Sequence, residues 1–356
     1  MQKKTACIKV PKRQGEKALA AVKKLKIIDS KLEIQRNPKS LFIPLLTQPS
    51  EQQLKNLRKQ AFDFNISTSL FQERKKPTPS LINALQKQLP PQLLDSLPHS
   101  MDFIGDIAII EIPSELQPYK DRIGKAVLNT KPNLRTVVTK ASAVSGTYRL
   151  RKFEVIAGEH KTETVHKEYG CQYYLDISKV YFSPRLSYEH KRVSSAVHEG
   201  EVIVDLFAGV GPFAIQIAKT HENVKVYAID VNPHAVEYLK RNIRLNRVVE
   251  KVHPMSGNAR QIAKERLSGI ADRVIMNLPE KALDFADVTC EALKPEGGTV
   301  HFYSFITESC SLNDLKTSFS QAVQTCGREA ADIKFSRIVR ETAPHESQVV
   351  LDVEIK

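Results

Sequence analysis

The sequence is 356 residues long, 41% hydrophobic and 26% charged, enough for a sizeable core and more than one folding unit. It has no apolar run long enough to cross a bilayer, no secretory leader in its first residues, and no Cys-x-x-Cys pair among its five cysteines (7, 171, 290, 310 and 326). A membrane, secreted or zinc-knuckle protein is therefore not expected, and a cytoplasmic one is. The net charge of +13 is uneven: residues 1–200 hold 34 Lys and Arg against 19 Asp and Glu, and residues 201–356 hold 19 against 21, which suggests a basic part that grips a polyanion and a neutral part that holds a small ligand.

In chain order, a strand is predicted at Ala6–Val10, an amphipathic helix from Gly15 to Leu25, and strands at Leu32–Arg36 and Ser40–Pro44, which make a small α/β module over residues 1–72. Prolines at 77, 79, 90, 91 and 98 surround one short helix, Ser80–Gln88, and read as a linker or domain edge. A basic α+β module over 73–172 follows, with a strand in Asp102–Ile112, a helix at Gln117–Asn129, and strands at Thr136–Lys140, Lys152–Ile156 and Val165–Glu168. Residues 173–356 then alternate strand and helix, which calls for a parallel sheet covered on both faces. The strands are Val202–Leu206, Lys225–Asp230, Val252–Met255, Asp272–Asn277 and Thr299–Phe305. The helices are Phe213–Lys219, Pro233–Asn246, Ala259–Glu265 and Ala282–Leu293. After a last helix, Ser311–Cys326, two runs at Phe335–Glu341 and Gln348–Ile355 are joined so tightly that they must pair antiparallel. An α/β class I, Rossmann-like methyltransferase sheet with an antiparallel C-terminal hairpin is the expected fold.

The central motif is Asp205-Leu-Phe207-Ala-Gly209-Val-Gly211-Pro-Phe213, between the first strand and the first helix of that sheet. Its glycines admit a ligand close to backbone N–H groups at a helix N-terminus. The same segment satisfies the loose dinucleotide pattern, so its neighbours must decide. Asp205 suits the ammonium of a methionine moiety and would repel a pyrophosphate, Asp230 is placed for the ribose hydroxyls, and Asn258 for the adenine amine, with Ala259 and Ile262 as apolar lining. S-adenosylmethionine is the expected cofactor, with Phe207, Gly209, Gly211, Asn277 and Pro279 also lining its site. The fourth strand ends in Asn277-Leu-Pro279-Glu280, where enzymes that alkylate exocyclic amines carry an aromatic in the last place. Its absence here favours a ring nitrogen as target. The plain reading is a strand end. The histidines, including His99, His198 and His301, show no metal spacing, and no metal is expected.

Together with Tyr181-Phe-Ser-Pro-Arg185-Leu-Ser-Tyr-Glu189-His-Lys-Arg192, these motifs resemble the archaeal and eukaryotic type of tRNA (guanine-37-N1)-methyltransferase. Ala6-Cys-Ile-Lys-Val-Pro-Lys, Tyr148-Arg149-Leu-Arg151 and His166-Lys-Glu-Tyr-Gly170 are similar to the family's first and second domains. The resemblance implies a monomer whose first domain touches the outer corner of tRNA while the other two hold the anticodon arm. It implies Glu189 as general base, Arg149 as stabiliser of the guanine O6, Asn277 as a contact orienting the base, and Arg185 and Tyr181 around the flipped base or its phosphates. Arg151 and Arg192 are carried over as substrate contacts, Arg192 less firmly because His190 stands where the family often has Arg. The chemistry agrees: guanine N1 carries a proton that must leave, and charge then builds on O6. On the residues alone, Glu189 with Arg192 or Arg185 is an ordinary ion pair on a helix surface, Arg149 and Arg151 alternate on an exposed strand, and Tyr181 is a core aromatic. The rival functions are methylation of the tricyclic wyosine precursor and a tRNA-binding protein that has lost catalysis.

Overall fold

The computed structural model describes residues 2–60, 62–73, 80–98 and 100–356. Pro77, Pro79 and His99 lie outside the described residues. The chain divides into two compact units, one within residues 1–78 and one within 79–356.

In the first unit, β1 (Gln2–Pro11) is flanked by β3 (Ser40–Pro44) and β4 (Asn65–Gln72), and β2 (Gln35–Arg36) pairs outside β3, all antiparallel. Helix α1 (Gly15–Lys24) sets Ala18, Ala21 and Val22 against Ile8, Val10, Ile43 and Leu45. The strand expected from Leu32 shrinks to two residues because Leu32 turns inward to pack with Cys7 and Phe71. Helix α2 (Glu51–Arg58) was not foreseen, although Ser50 and Gln53 close a reciprocal capping box at its start. Nor was β4, whose Asn-Ile-Ser-Thr-Ser run is too polar to read as a strand until β1 lies beside it.

In the second unit, residues 80–98 are packed chain, correcting the linker reading. Leu85 and Leu89 around helix α3 (Leu81–Leu85), and then Leu97, join the core formed by Ile110, Ile123 and Val127. The single strand expected over Asp102–Ile112 is a hairpin of β5 (Asp102–Ile104) and β6 (Ile107–Ile110). It turns at Gly105, with φ +57°, where an added Cβ would lie 2.1 Å from the Thr164 hydroxyl. Helix α4 (Lys120–Thr130) carries the chain to β7 (Thr136–Lys140), parallel to β6, and β8 (Phe153–Gly158) completes the sheet. Strand β6 is buried on both faces: Ala108 and Ile110 enter the core of this module, while Ile107 and Ile109 enter the core beneath the larger sheet.

β9 (Glu163–Glu168) and β10 (Cys171–Asp176) then pair in full register from Cys171↔Glu168 to Asp176↔Glu163, so a boundary at residue 172 would cut through one hairpin. The free edge of β10 is met by side chains from helix α7 (Pro233–Asn246). Asn242 accepts from Tyr174 N (2.7 Å) and donates to Tyr174 O (3.1 Å), and Asn246 does the same for Gln172 (2.9 and 2.7 Å).

The larger sheet has the order β13 (Val252–Ser256), β12 (Lys225–Asp230), β11 (Val202–Asp205), β14 (Arg273–Met276), β15 (Gly298–Thr307), β17 (Glu346–Ile355) and β16 (Ala330–Ala343). The first five run parallel, and β17 pairs antiparallel with β15 and with β16, as expected; β16 is longer at both ends than its apolar run and β17 at its start. Alternate residues serve opposite cores. Ile203, Val226, Ile275 and Tyr303 face α5 (Ser187–Ala196), α6 (Pro212–Thr220) and α7, while Val204, Ile229, Val274 and Phe302 face α8 (Ala259–Arg266), α9 (Ala286–Ala292) and α10 (Leu312–Thr325). The helix expected over Ala282–Leu293 begins as a 3-10 turn, Ala282–Phe285. Phe302 is fully buried with its ring 4.5 Å from that of Phe319. Phe302→Ala is expected to cost about 3–5 kcal/mol, read as a lower denaturant midpoint with an unchanged slope.

Candidate active site

The carboxyl ends of β11, β12 and β14 open onto a cavity of about 310 Å³. Its floor is the loop Phe207–Pro212. Gly211, with φ +91°, starts α6, and a Cβ there would come 2.4 Å from Leu239. Asp230 holds the loop: its Oδ2 accepts from Gly209 N (2.7 Å) and its Oδ1 from Asn232 N (2.8 Å), while burial still pushes its carboxyl up. Of the residues expected around the donor, Phe207, Gly209, Asp230, Asn258, Asn277 and Pro279 line the cavity together, whereas Gly211 does not. Phe285, edge-on to Phe207 at 4.9 Å, joins them without having been foreseen. Asn258 caps α8 through Oδ1 and Arg260 N (2.9 Å), leaving its amide nitrogen open. Ile262, expected as lining, packs instead with Met255 in the sheet core.

Asp205 lies beneath this floor, fully buried. One oxygen accepts from Phe207 N (3.3 Å) and Oδ2 has no partner among the described residues. Burial, with the Asp230 charge nearby, pushes its carboxyl up to about 7 against the pull of the Phe207 N–H. A buried carboxylate with an orphaned oxygen under a glycine loop fits the ammonium of S-adenosylmethionine. Asp230 and Asn258 line the same cavity.

A second cavity, about 330 Å³, adjoins the first and shares Arg149, Tyr181, Glu280, Phe305 and Arg340 with it. Its lining sets Lys140, Arg149, Arg151, Arg185 and Arg340 against Asp102, Glu280, Glu341 and Glu346, a small positive excess. Arg149 is not on a strand: it closes the tight turn between Ser145 and Leu150 with φ +56°, stands 4.9 Å over the Tyr181 ring, and reaches Glu280 at 3.1 Å. Buried Nε atoms of Arg149 and Arg151 have no partner. Tyr181 is 36% exposed, so the core-aromatic reading fails. Arg185 pairs with Asp102 (2.6 Å) and Ser100 (3.1 Å) and faces only the second cavity and a shallow neighbour.

Two expected contacts lie elsewhere. Glu189 is 1% exposed and lines neither cavity; Oε2 accepts from Arg192 (2.9 Å) and from the Tyr303 hydroxyl (2.9 Å), and Oε1 is buried without a partner. Arg192, expected as a substrate contact, is turned away over Phe335 and clamps Asp352, whose carboxyl falls to about 2 because His301 and Arg192 together outweigh its burial. The pair is real, but it is buried rather than on a helix surface. His190, next in sequence, does line the first cavity, with Nδ1 bound to Glu168 at 2.8 Å. Two lining residues came with no signal from the sequence: Arg340 and Gln348 read only as parts of strands.

Three family models match the chain: tRNA methyltransferase 5 N-terminal domain over residues 7–53, TYW2 N-terminal domain over 81–162, and TRM5/TYW2 methyltransferase domain over 164–331. The tRNA (guanine(37)-N(1))-methyltransferase Trm5b of Pyrococcus abyssi is 36% identical over 360 residues, covering 99% of both chains. Among solved structures, a complex of aTrm5 with tRNALeu superposes with a TM-score of 0.70 at 32% identity over 98% of this chain and 99% of that one. TYW2 of M. jannaschii in complex with AdoMet gives 0.56 at 30% identity over 72% and 99%.

The state of Asp205 yields a pH dependence. Near pH 7 about half of these carboxyls hold a proton, and raising the pH removes it, so a ligand that brings an ammonium to Asp205 binds more tightly as pH rises. The dissociation constant for S-adenosylmethionine is expected to fall about fivefold from pH 6 to pH 7, where the donor's own ammonium still holds its proton, with proton release seen by calorimetry in two buffers. Asp205→Asn should flatten that profile.

Proposed function

Since the chain belongs to the TRM5/TYW2 methyltransferase family, we propose that it transfers a methyl group from S-adenosylmethionine to N1 of guanosine 37 in tRNA. The observation that carries this reading is the adjacency of the two cavities. The glycine-loop cavity, fit for the donor, opens into the second one with the Arg149 guanidinium and the Tyr181 ring on their shared wall.

The donor supplies an electrophilic methyl on its sulfonium. The protein must open the base, remove one proton and hold one charge. A base extruded from the anticodon arm enters the second cavity and meets Tyr181, with Arg151 and Arg185 near its phosphates. Arg149 neutralises the charge that develops on O6, which requires its guanidinium to leave Glu280 for the base. Glu189 takes the N1 proton on Oε1, the oxygen left free while Arg192 and Tyr303 hold Oε2, which requires its carboxyl, closed off from both cavities, to be uncovered toward the base. Asn277 orients the ring from the end of β14. Residues 1–73, with 15 Lys and Arg against 6 Asp and Glu, add a second basic surface for the tRNA body. The aTrm5–tRNALeu complex supports this tRNA-binding reading. We also propose that the enzyme works as a monomer built of the three segments expected from the sequence, 1–72, 73–172 and 173–356, with the last boundary moved ahead of the β9–β10 hairpin.

Labelled methyl is expected on an unmodified transcript carrying guanosine at position 37, recovered as 1-methylguanosine, and not on the same transcript with adenosine there. Label in both, or only on a transcript bearing the tricyclic precursor, would refute the assignment. Glu189→Gln should slow single-turnover transfer about 10²- to 10⁴-fold while leaving donor affinity unchanged. Were Glu189 merely structural, the same substitution would lower the melting temperature and leave the rate within a few fold. Asp230→Ala should weaken donor binding first.

A further inference from the structure

An asparagine amide has a donor end and an acceptor end, and the end it turns to a base decides which base it accepts. Asn277 stands at the mouth of β14 with both ends chemically available. What fixes its sense is two strands away, on the C-terminal hairpin. The Arg340 guanidinium can only donate. Its Nε donates to Gln348 Oε1 at 2.9 Å, which commits the oxygen of that amide. Gln348 is 1% exposed, so its remaining end has no water to turn to; Nε2 points at Asn277 Oδ1, 3.5 Å away. Asn277 is left with Nδ2 toward the cavity and no partner for it among the described residues. Arg340 is itself held by Ser183 Oγ at 2.9 Å and lies beside the Tyr181 hydroxyl at 3.4 Å.

We propose that Arg340 and Gln348 are specificity-determining positioning residues: a donor-only cation fixes two amides in series, so that Asn277 presents N–H to the target base. The enzyme then selects a base with an acceptor at position 6, such as the O6 of guanine, and opposes one that turns an amine toward the same place. This rests on the guanine reading above and adds the residues that enforce it. The absence of an aromatic after Asn277-Leu-Pro279 and the sense of the amide agree: the site is built to turn a ring carbonyl, and not an exocyclic amine, toward Asn277.

The test compares two competitor anticodon stem-loops, one with guanosine and one with 2,6-diaminopurine at position 37, by their inhibition of methyl transfer to full tRNA. The wild-type enzyme should prefer guanosine by about 10- to 100-fold. In Gln348→Glu, the carboxylate accepts from Arg340 and also from Asn277 Nδ2, so the Asn277 oxygen swings toward the cavity. The preference should shrink to within a few fold or reverse. Arg340→Leu should also narrow the preference, whereas Arg340→Lys, still a pure donor, should keep most of it. An unchanged preference in folded Gln348→Glu and Arg340→Leu, or equal narrowing in Arg340→Leu and Arg340→Lys, would overturn the proposal. Failure of the wild-type enzyme to methylate guanosine 37 would instead strike the function on which it rests.

Discussion

Strand β6 has to bury both of its faces. With Ile107 and Ile109 on one side and Ala108 and Ile110 on the other, no single core satisfies it, and the strand becomes the party wall between the basic module and the larger sheet. The loop that follows β7 and leads to β8 is thereby suspended over the carboxyl ends of β11 and β14, which is how a turn containing Arg149 comes to stand above Tyr181. An arrangement of separate beads on flexible linkers would leave that guanidinium unplaced, and a group meant to meet charge in a transition state is worth most when its position is settled beforehand.

Arginine recurs wherever this site needs direction. Arg192 joins Glu189 to Asp352, Arg273 joins Glu201 to His301, and Arg340 joins Gln348 to Ser183. Each presents several donors and no acceptor, so whatever faces it must turn an oxygen or a bare nitrogen toward it. In a nearly dry interior such one-way partners remove the ambiguity of carboxylates, imidazoles and amides more firmly than neutral pairs do.

The sequence revealed what is encoded within a few residues. Alternation placed the strands of the larger sheet, and the glycines around Val210, followed by a proline at the first helical position, marked the donor loop. What it hid depends on partners far along the chain. The turn at Gly105 is invisible in an apolar run until Thr164 closes over it. Arg149 looked like one of an alternating pair because its left-handed backbone leaves no mark in the residue type. Glu189 and Arg192 were legible as a pair from their spacing of three, but nothing local says that Tyr303 and Asp352, from β15 and β17, will bury them. Arg340 and Gln348 sit in strands whose polar members read as solvent-facing; only the sheet order turns them toward Asn277.

The two asparagines of α7 do for β10 what a neighbouring strand would have done. Gln172 and Tyr174 find both their amide and carbonyl groups engaged by side chains one helical turn apart, since two residues along a strand and four along a helix span nearly the same length. A hairpin edge left bare is a template on which another chain can add a strand. Here the edge ends in amides already saturated, so the same two residues that tie the hairpin down also make it sterile toward self-association, at the cost of one polar pair in a helix that is otherwise apolar on that side.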